Sequence, residues 1–161
     1  MTFLARTPVI WGSLVLSILV GAGFGLFHGA VGGVYLDTLA SGAACRDVIN
    51  AMTDGERTAH FWVTVLLDTA YPLTYGAFFA GMALRFLGRF GRVAALPAFA
   101  VAIVDLTENM VQALALSGAA DALGSKAWLT PLKFGLFGLA ALIALVALII
   151  ALVRLMRRRA G

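Results

Sequence analysis

The sequence predicts an all-α integral membrane protein, a bundle of four spanning helices with both termini cytoplasmic, and three observations predict it. Of 161 residues, 61% are hydrophobic and only 12% charged, about half the charged share of an ordinary globular domain. The apolar residues gather into four stretches, each near the roughly 20 residues that cross a bilayer. The basic residues collect beside the ends of those stretches rather than along one face of a soluble domain. A single transmembrane domain, residues 1–161, accounts for the chain, with spans at about 8–30, 57–86, 93–117 and 131–155.

The first span follows Arg6. Its apolar run is about twice the 7–15 residues of a signal-peptide core, so it reads as a retained helix. Gly21, Gly25, Gly29 and Gly33 recur at four-residue spacing, a stripe that lets a neighbouring helix backbone approach. Packing within the chain is the first expectation for it. Contact with a second copy, or with a larger membrane complex, is the alternative.

The connection over 31–56 carries Asp37, Arg46, Asp47, Asp54 and Glu56. Val48, Ile49 and Met52 place a short amphipathic helix on the membrane surface of this first outer loop. Thr53 and Glu56 have the spacing of a capping box that opens the next helix. Cys45, the single cysteine, has no partner for an intrachain disulfide.

Span two carries His60, Thr64, Asp68, Tyr71 and Tyr75 at intervals of three and four, on one helix face. Pro72 within it cannot donate to the carbonyl of residue 68, which leaves that oxygen free beside the Asp68 carboxylate. A basic connection with Arg85, Arg89 and Arg92 is short enough to make spans two and three antiparallel neighbours. Span three repeats the polar pattern with Asp105, Glu108, Asn109 and Gln112. Thr130 and Pro131 read as the cap and first position of span four. Lys133 then stands one turn inside it, before an apolar run over 134–153.

Arg6, the connection at 85–92 and the tail with Arg154, Arg157, Arg158 and Arg159 put eight of the twelve basic residues on one side. Arg46, Arg57, Lys126 and Lys133 fall on the other. This asymmetry makes the termini cytoplasmic and the location the inner membrane. Trp11 sits near one interface, and Tyr35, Trp62 and Trp128 near the other. The positive net charge is thus spent at membrane flanks, and nucleic acid is excluded as a partner; membrane lipids are the expected one.

The two polar stripes should turn toward each other and away from lipid. At about 1.5 Å rise per residue, Asp68 and Asp105 lie about 15 Å from the outer ends of their spans and Glu108 about 12 Å. Three acids at such depth would cost about 8–10 kcal/mol if ionised and unpaired, which makes them a candidate functional site, with a polar clasp between helices as the alternative. Asp105 and Glu108, three residues apart, would repel if both were charged, so one of them is expected to keep a proton. His28, His60, Gln112 and Lys133 fall nearer the outer surface, so the polar interior should open outward. Lys133 can either reach Glu108 or snorkel to the interface. No ligand spacing supports a bound metal.

The segment Leu67-Asp68-Thr69-Ala70-Tyr71-Pro72-Leu73-Thr74-Tyr75-Gly76, with Val104-Asp105-Leu106-Thr107-Glu108-Asn109 and Thr130-Pro131-Leu132-Lys133, resembles a group of small bacterial four-span membrane proteins without a known activity. The likeness covers roughly 35–140. It implies the same four-span layout and polar core, and carries no activity over to this chain.

Three functions compete. The first is binding of a small ligand, an ion or a lipid headgroup by Asp68, Tyr71, Tyr75, Asp105, Glu108, Asn109, Gln112, Lys133 and His60. The second is an intramembrane lipid-modifying enzyme with Asp105 and Glu108 as catalytic acid and base, weakened because no nucleophile or cofactor motif accompanies them. The third is an accessory subunit that docks through the glycine stripe or the last helix.

Overall fold

The structure, a computed structural model, describes residues 3–160. The side chains of Arg158 and Arg159, from the basic C-terminal cluster, lie outside the described residues. The described chain is helical, without strands among the described residues. Helix α1 (Thr7–Phe27) is followed by α2 (Gly42–Ala51), α3 (Asp54–Val63), α4 (Thr69–Phe86), α5 (Gly91–Ala94), α6 (Leu96–Ser117) and α7 (Lys126–Ala160). Three helical runs, Thr7–Phe27, Gly88–Ser117 and Leu123–Arg157, are long and apolar enough to cross a membrane.

The run from α3 to α4 is continuous but differs in character. Thr53 accepts from the Glu56 amide while Glu56 accepts from the Thr53 amide, so the capping box forms and satisfies two donors that α3 leaves over. A π-helical turn, Thr64–Asp68, then joins α3 to α4. It ends four residues before Pro72, where the backbone ladder has already lost a donor.

Helix α4 is the hub, packed along α1, α6 and α7, whereas α6 and α7 pack against each other. The close approach is made by small residues: Ala80, Ala83, Ala95, Ala98 and Ala140 form one buried cluster. A Cβ added to Gly81 would stand 2.6 Å from the carbonyl oxygen of Leu4, and one on Gly91 2.7 Å from that of Ala83. Backbones this close have room for hydrogen only, which is how helices gain contact where lipid offers no hydrophobic drive.

The expected glycine stripe is corrected here. Nothing lies within 4 Å of a Cβ on Gly25 or Gly29, and the helix ends at Phe27. Gly32 and Gly33 have φ of 83° and 78°, so Gly33 serves a left-handed turn that L side chains resist. Of the four, Gly21 alone meets a neighbouring helix, with the Tyr71 ring 3.5 Å from its Cβ position. Four-residue spacing says which residues share a face, not whether a neighbour covers that face.

Two further expectations change. Helix α2 does form, but its buried Cys45 and Ile49 join Leu36, Val111, Leu116, Leu123 and Leu129 in a core cluster. Its apolar face therefore caps the bundle instead of floating in lipid. Helix α7 begins at Lys126, so Thr130 and Pro131 lie inside it. A 3-10 turn, Leu123–Ser125, leads directly into that helix, which makes a cap at Thr130 unnecessary.

Candidate functional site

Between the apolar cap and the alanine layer lies a level of buried polar side chains. Its frame follows from the two stripes read in the sequence. His60, Thr64 and Asp68 are buried along the α3–π segment, Tyr75 on α4, and Asp105, Glu108, Asn109 and Gln112 on α6. Tyr75 Oη donates to Asp105 Oδ2 at 2.7 Å. Asn109 Nδ2 donates to the carbonyl oxygen of Asp68 at 2.7 Å. That carbonyl is the one Pro72 leaves without its helical donor, so α6 repairs the break in the neighbouring helix.

Helix α7 supplies what the stripes lack, which is positive charge. Lys126 is fully buried and its ammonium donates to Glu108, as does the Thr130 hydroxyl. Lys133 Nζ lies 2.7 Å from Glu108 Oε2, without the alignment of a hydrogen bond, and 3.6 Å from Asp105 Oδ1. Its remaining contact is a direct ion pair with Asp37, in the short turn Leu36–Thr38. Asp68 is buried at the same level, on the turn that joins α3 to α4.

Sequence reasoning missed Lys126, Asp37 and Thr130 as members of this layer. For the first and third a signal existed. Lys126, Thr130 and Lys133 are spaced by four and three, one face of a helix, but a basic residue beside an apolar run reads first as an interfacial anchor. Asp37 carried no local signal, since it arrives from a loop through tertiary packing. Lys126 and Lys133 stand beside Glu108, and Lys133 also beside Asp105, so their charge offsets the repulsion expected between the two acids.

Tyr71, also expected in the site, sits at its margin. Tyr71 is half-buried and meets Phe24 and Tyr75 edge-on, with centroids 5.7 and 5.2 Å away, so it faces α1 rather than the acids. His28 is exposed. Tyr35 stands between the two histidines, with ring centroids 5.9 Å from His28 and 5.8 Å from His60. Its hydroxyl donates to the Phe24 carbonyl at 2.5 Å, and burial raises its pKa above the ordinary tyrosine value.

Asp37, Asp105 and Glu108 offer carboxylate oxygens within 4.8 Å of one another, a spread that suits a small cation. Lys133 contacts all three, so its ammonium already occupies the position such an ion would take. Compared with protein-family models, with curated proteins and with solved structures, the chain matches none of them.

Proposed function

We propose that this is a four-span inner-membrane protein, termini cytoplasmic, whose polar layer binds a small cationic, hydrogen-bond-donating ligand admitted from the outer side past Asp37. The observation that carries the reading is a set of buried polar atoms without a hydrogen-bond partner: Asn109 Oδ1, His60 Nδ1, both Oε1 and Nε2 of Gln112, and Asp105 Oδ1 and Glu108 Oε2, which have only the Lys133 ammonium beside them. Buried polar atoms are nearly always paired, so orphans on facing stripes call for an occupant. Four of these six atoms, the carboxylate and amide oxygens, accept, and one can only donate. The missing partner is therefore rich in donors, such as an ammonium group or a hydrated cation.

Charge points the same way. Three acids, Asp37, Asp105 and Glu108, meet two lysines, Lys126 and Lys133, so the layer holds more carboxyl groups than cations to balance them. Asp37 retains 26% of its side-chain exposure, which supplies a route from the loop side. The orientation draws support from the fates of the four basic residues assigned outward. Lys126 and Lys133 are buried, and Arg57 donates to the carbonyls of Leu116 and Ala115. Of those four, Arg46 alone remains an exposed flank charge, which sharpens the contrast with the other side.

The Glu108 end supports a second role. With both oxygens engaged by Lys126, Thr130 and Lys133, it ties α6 to α7 as a clasp and leaves Asp105 as the better-placed group for proton transfer. Ligand-dependent thermal shifts of the detergent-purified protein, read with sodium, ammonium and alkylammonium salts, test the binding role. Gln112→Leu should abolish the shift and leave the ligand-free midpoint equal or higher, because an unpaired buried amide is expensive. A panel that shifts neither protein would leave only the clasp.

A further inference from the structure

At the end of the bundle opposite Asp37, α1 and α7 both pack on α4 and scarcely touch each other. The space between them is a groove of about 700 Å³, within the range of built ligand sites. Its walls are apolar, with Trp11 from α1, Phe78 and Met82 from α4, and Leu148 and Leu152 from α7. Its mouth is cationic. Arg85 and Arg154 line it, and Arg85 is held in place by donating through Nη1 to the Ala5 carbonyl at 2.8 Å. Thr7, the first residue of α1, stands at the same rim, where the positive end of a helix dipole favours an anion.

We infer that this groove seats one anionic phospholipid, with its phosphodiester between Arg85 and Arg154 and an acyl chain along Trp11, Phe78 and Leu152. The occupant follows from the pairing of charge with depth. A lipid of this kind carries a fixed negative group and a long apolar tail joined end to end, and the groove offers the complement in the same order. A second copy of the chain fits less well, because a two-fold contact through this face would bring its arginines against their own symmetry mates.

Native mass spectrometry of the full-length protein, released from mixed phosphatidylglycerol and phosphatidylethanolamine nanodiscs, tests the inference. The expected result is a monomer that keeps one phosphatidylglycerol preferentially. Each arginine is worth about 5-fold in that preference, so Arg154→Gln should lower it about 5-fold and the Arg85→Gln/Arg154→Gln pair should abolish it. Ala151→Trp, which fills the groove without touching its charge, should reduce retention of either lipid. If Arg85→Gln disturbs folding through its bond to Ala5, the exposed Arg154 and the Ala151 variant still decide. Equal retention of the two lipids by the unaltered protein, a preference that Arg154→Gln leaves undiminished, or a dimer in place of a lipid adduct would each overturn it.

Discussion

The two halves of the bundle are held together by opposite means. Around Glu108, Lys126 and Lys133 the helices meet through charged side chains that reach across and saturate one another. Around Gly81, Ala83 and Ala98 they meet through the absence of side chains, with backbones nearly in contact. The first half is expensive to assemble and intolerant of losing any one member, because the groups left behind are charged and dry. The second half is made of many small contacts, so its failures should be graded. The close-packed alanine layer below the buried polar groups gives them a rigid floor.

The sharpest way to break this comparison is Glu108→Ala. It leaves Lys126 buried without a counter-charge and Lys133 with Asp37 and Asp105 alone, and the loss should be about 3–5 kcal/mol in thermal or denaturant unfolding in detergent. Glu108→Met combined with Lys126→Met should recover most of that loss, since removing both partners strands neither charge. A single variant as harmful as the pair would mean that the ion pair is not the clasp.

In the other half, Gly81→Ala places a methyl group 2.6 Å from the Leu4 carbonyl and 2.9 Å from Ile10. The helices must part, at a cost of about 1–3 kcal/mol. Gly25→Ala, with nothing within 4 Å, should stay within about 0.5 kcal/mol of the unaltered protein. This pair of variants separates glycines that pack from glycines that merely recur. Effects smaller than that of Gly81→Ala are expected from the neutral hydrogen bonds of the polar layer. Tyr75→Phe removes the bond to Asp105, and Asn109→Leu leaves the Asp68 carbonyl without a donor, each for about 0.6–1.7 kcal/mol on the scale of interhelical bonds in membranes.

How much of this was legible depended on whether the signal was local. The stripes His60, Thr64, Asp68 and Tyr75, and Asp105, Glu108, Asn109 and Gln112, stood out because polar residues at helical spacing have no reason to occur in an apolar run unless they face protein. The broken ladder at Pro72 was equally visible, and its repair by Asn109 was not, because the donor lies on another helix. Lys126 was hidden by the rule that serves elsewhere, that basic residues flank spans. The glycine stripe misled for the reverse reason: its periodicity was plain, but Gly25 and Gly29 face no helix of this chain.

The mildest way to probe the difference between buried and exposed charge is pH, applied to the loop side. Arg46 donates to Asp121 through Nε at 2.5 Å and Nη2 at 3.1 Å, and the Leu123 amide donates to the same carboxylate at 3.0 Å. The Arg46 hydrogen bonds first, and then the Leu123 amide, hold Asp121 below the ordinary aspartate pKa. The bonds from the Thr53 amide and then the Thr53 hydroxyl do the same for Glu56. A carboxylate whose folded pKa lies below its unfolded value, about 3.9 for aspartate and 4.3 for glutamate, adds stability above that value and loses it as pH falls through the folded one. Below about pH 4 the tie between α2 and the turn before α7 should therefore loosen first. Amide exchange, corrected for its intrinsic pH dependence, should quicken in α2 and at the start of α3 while the α6 amides stay protected. In Asp121→Asn, which cannot titrate there, the acid-dependent part of the α2 response should disappear, and its persistence would place the sensitive group elsewhere in the loop.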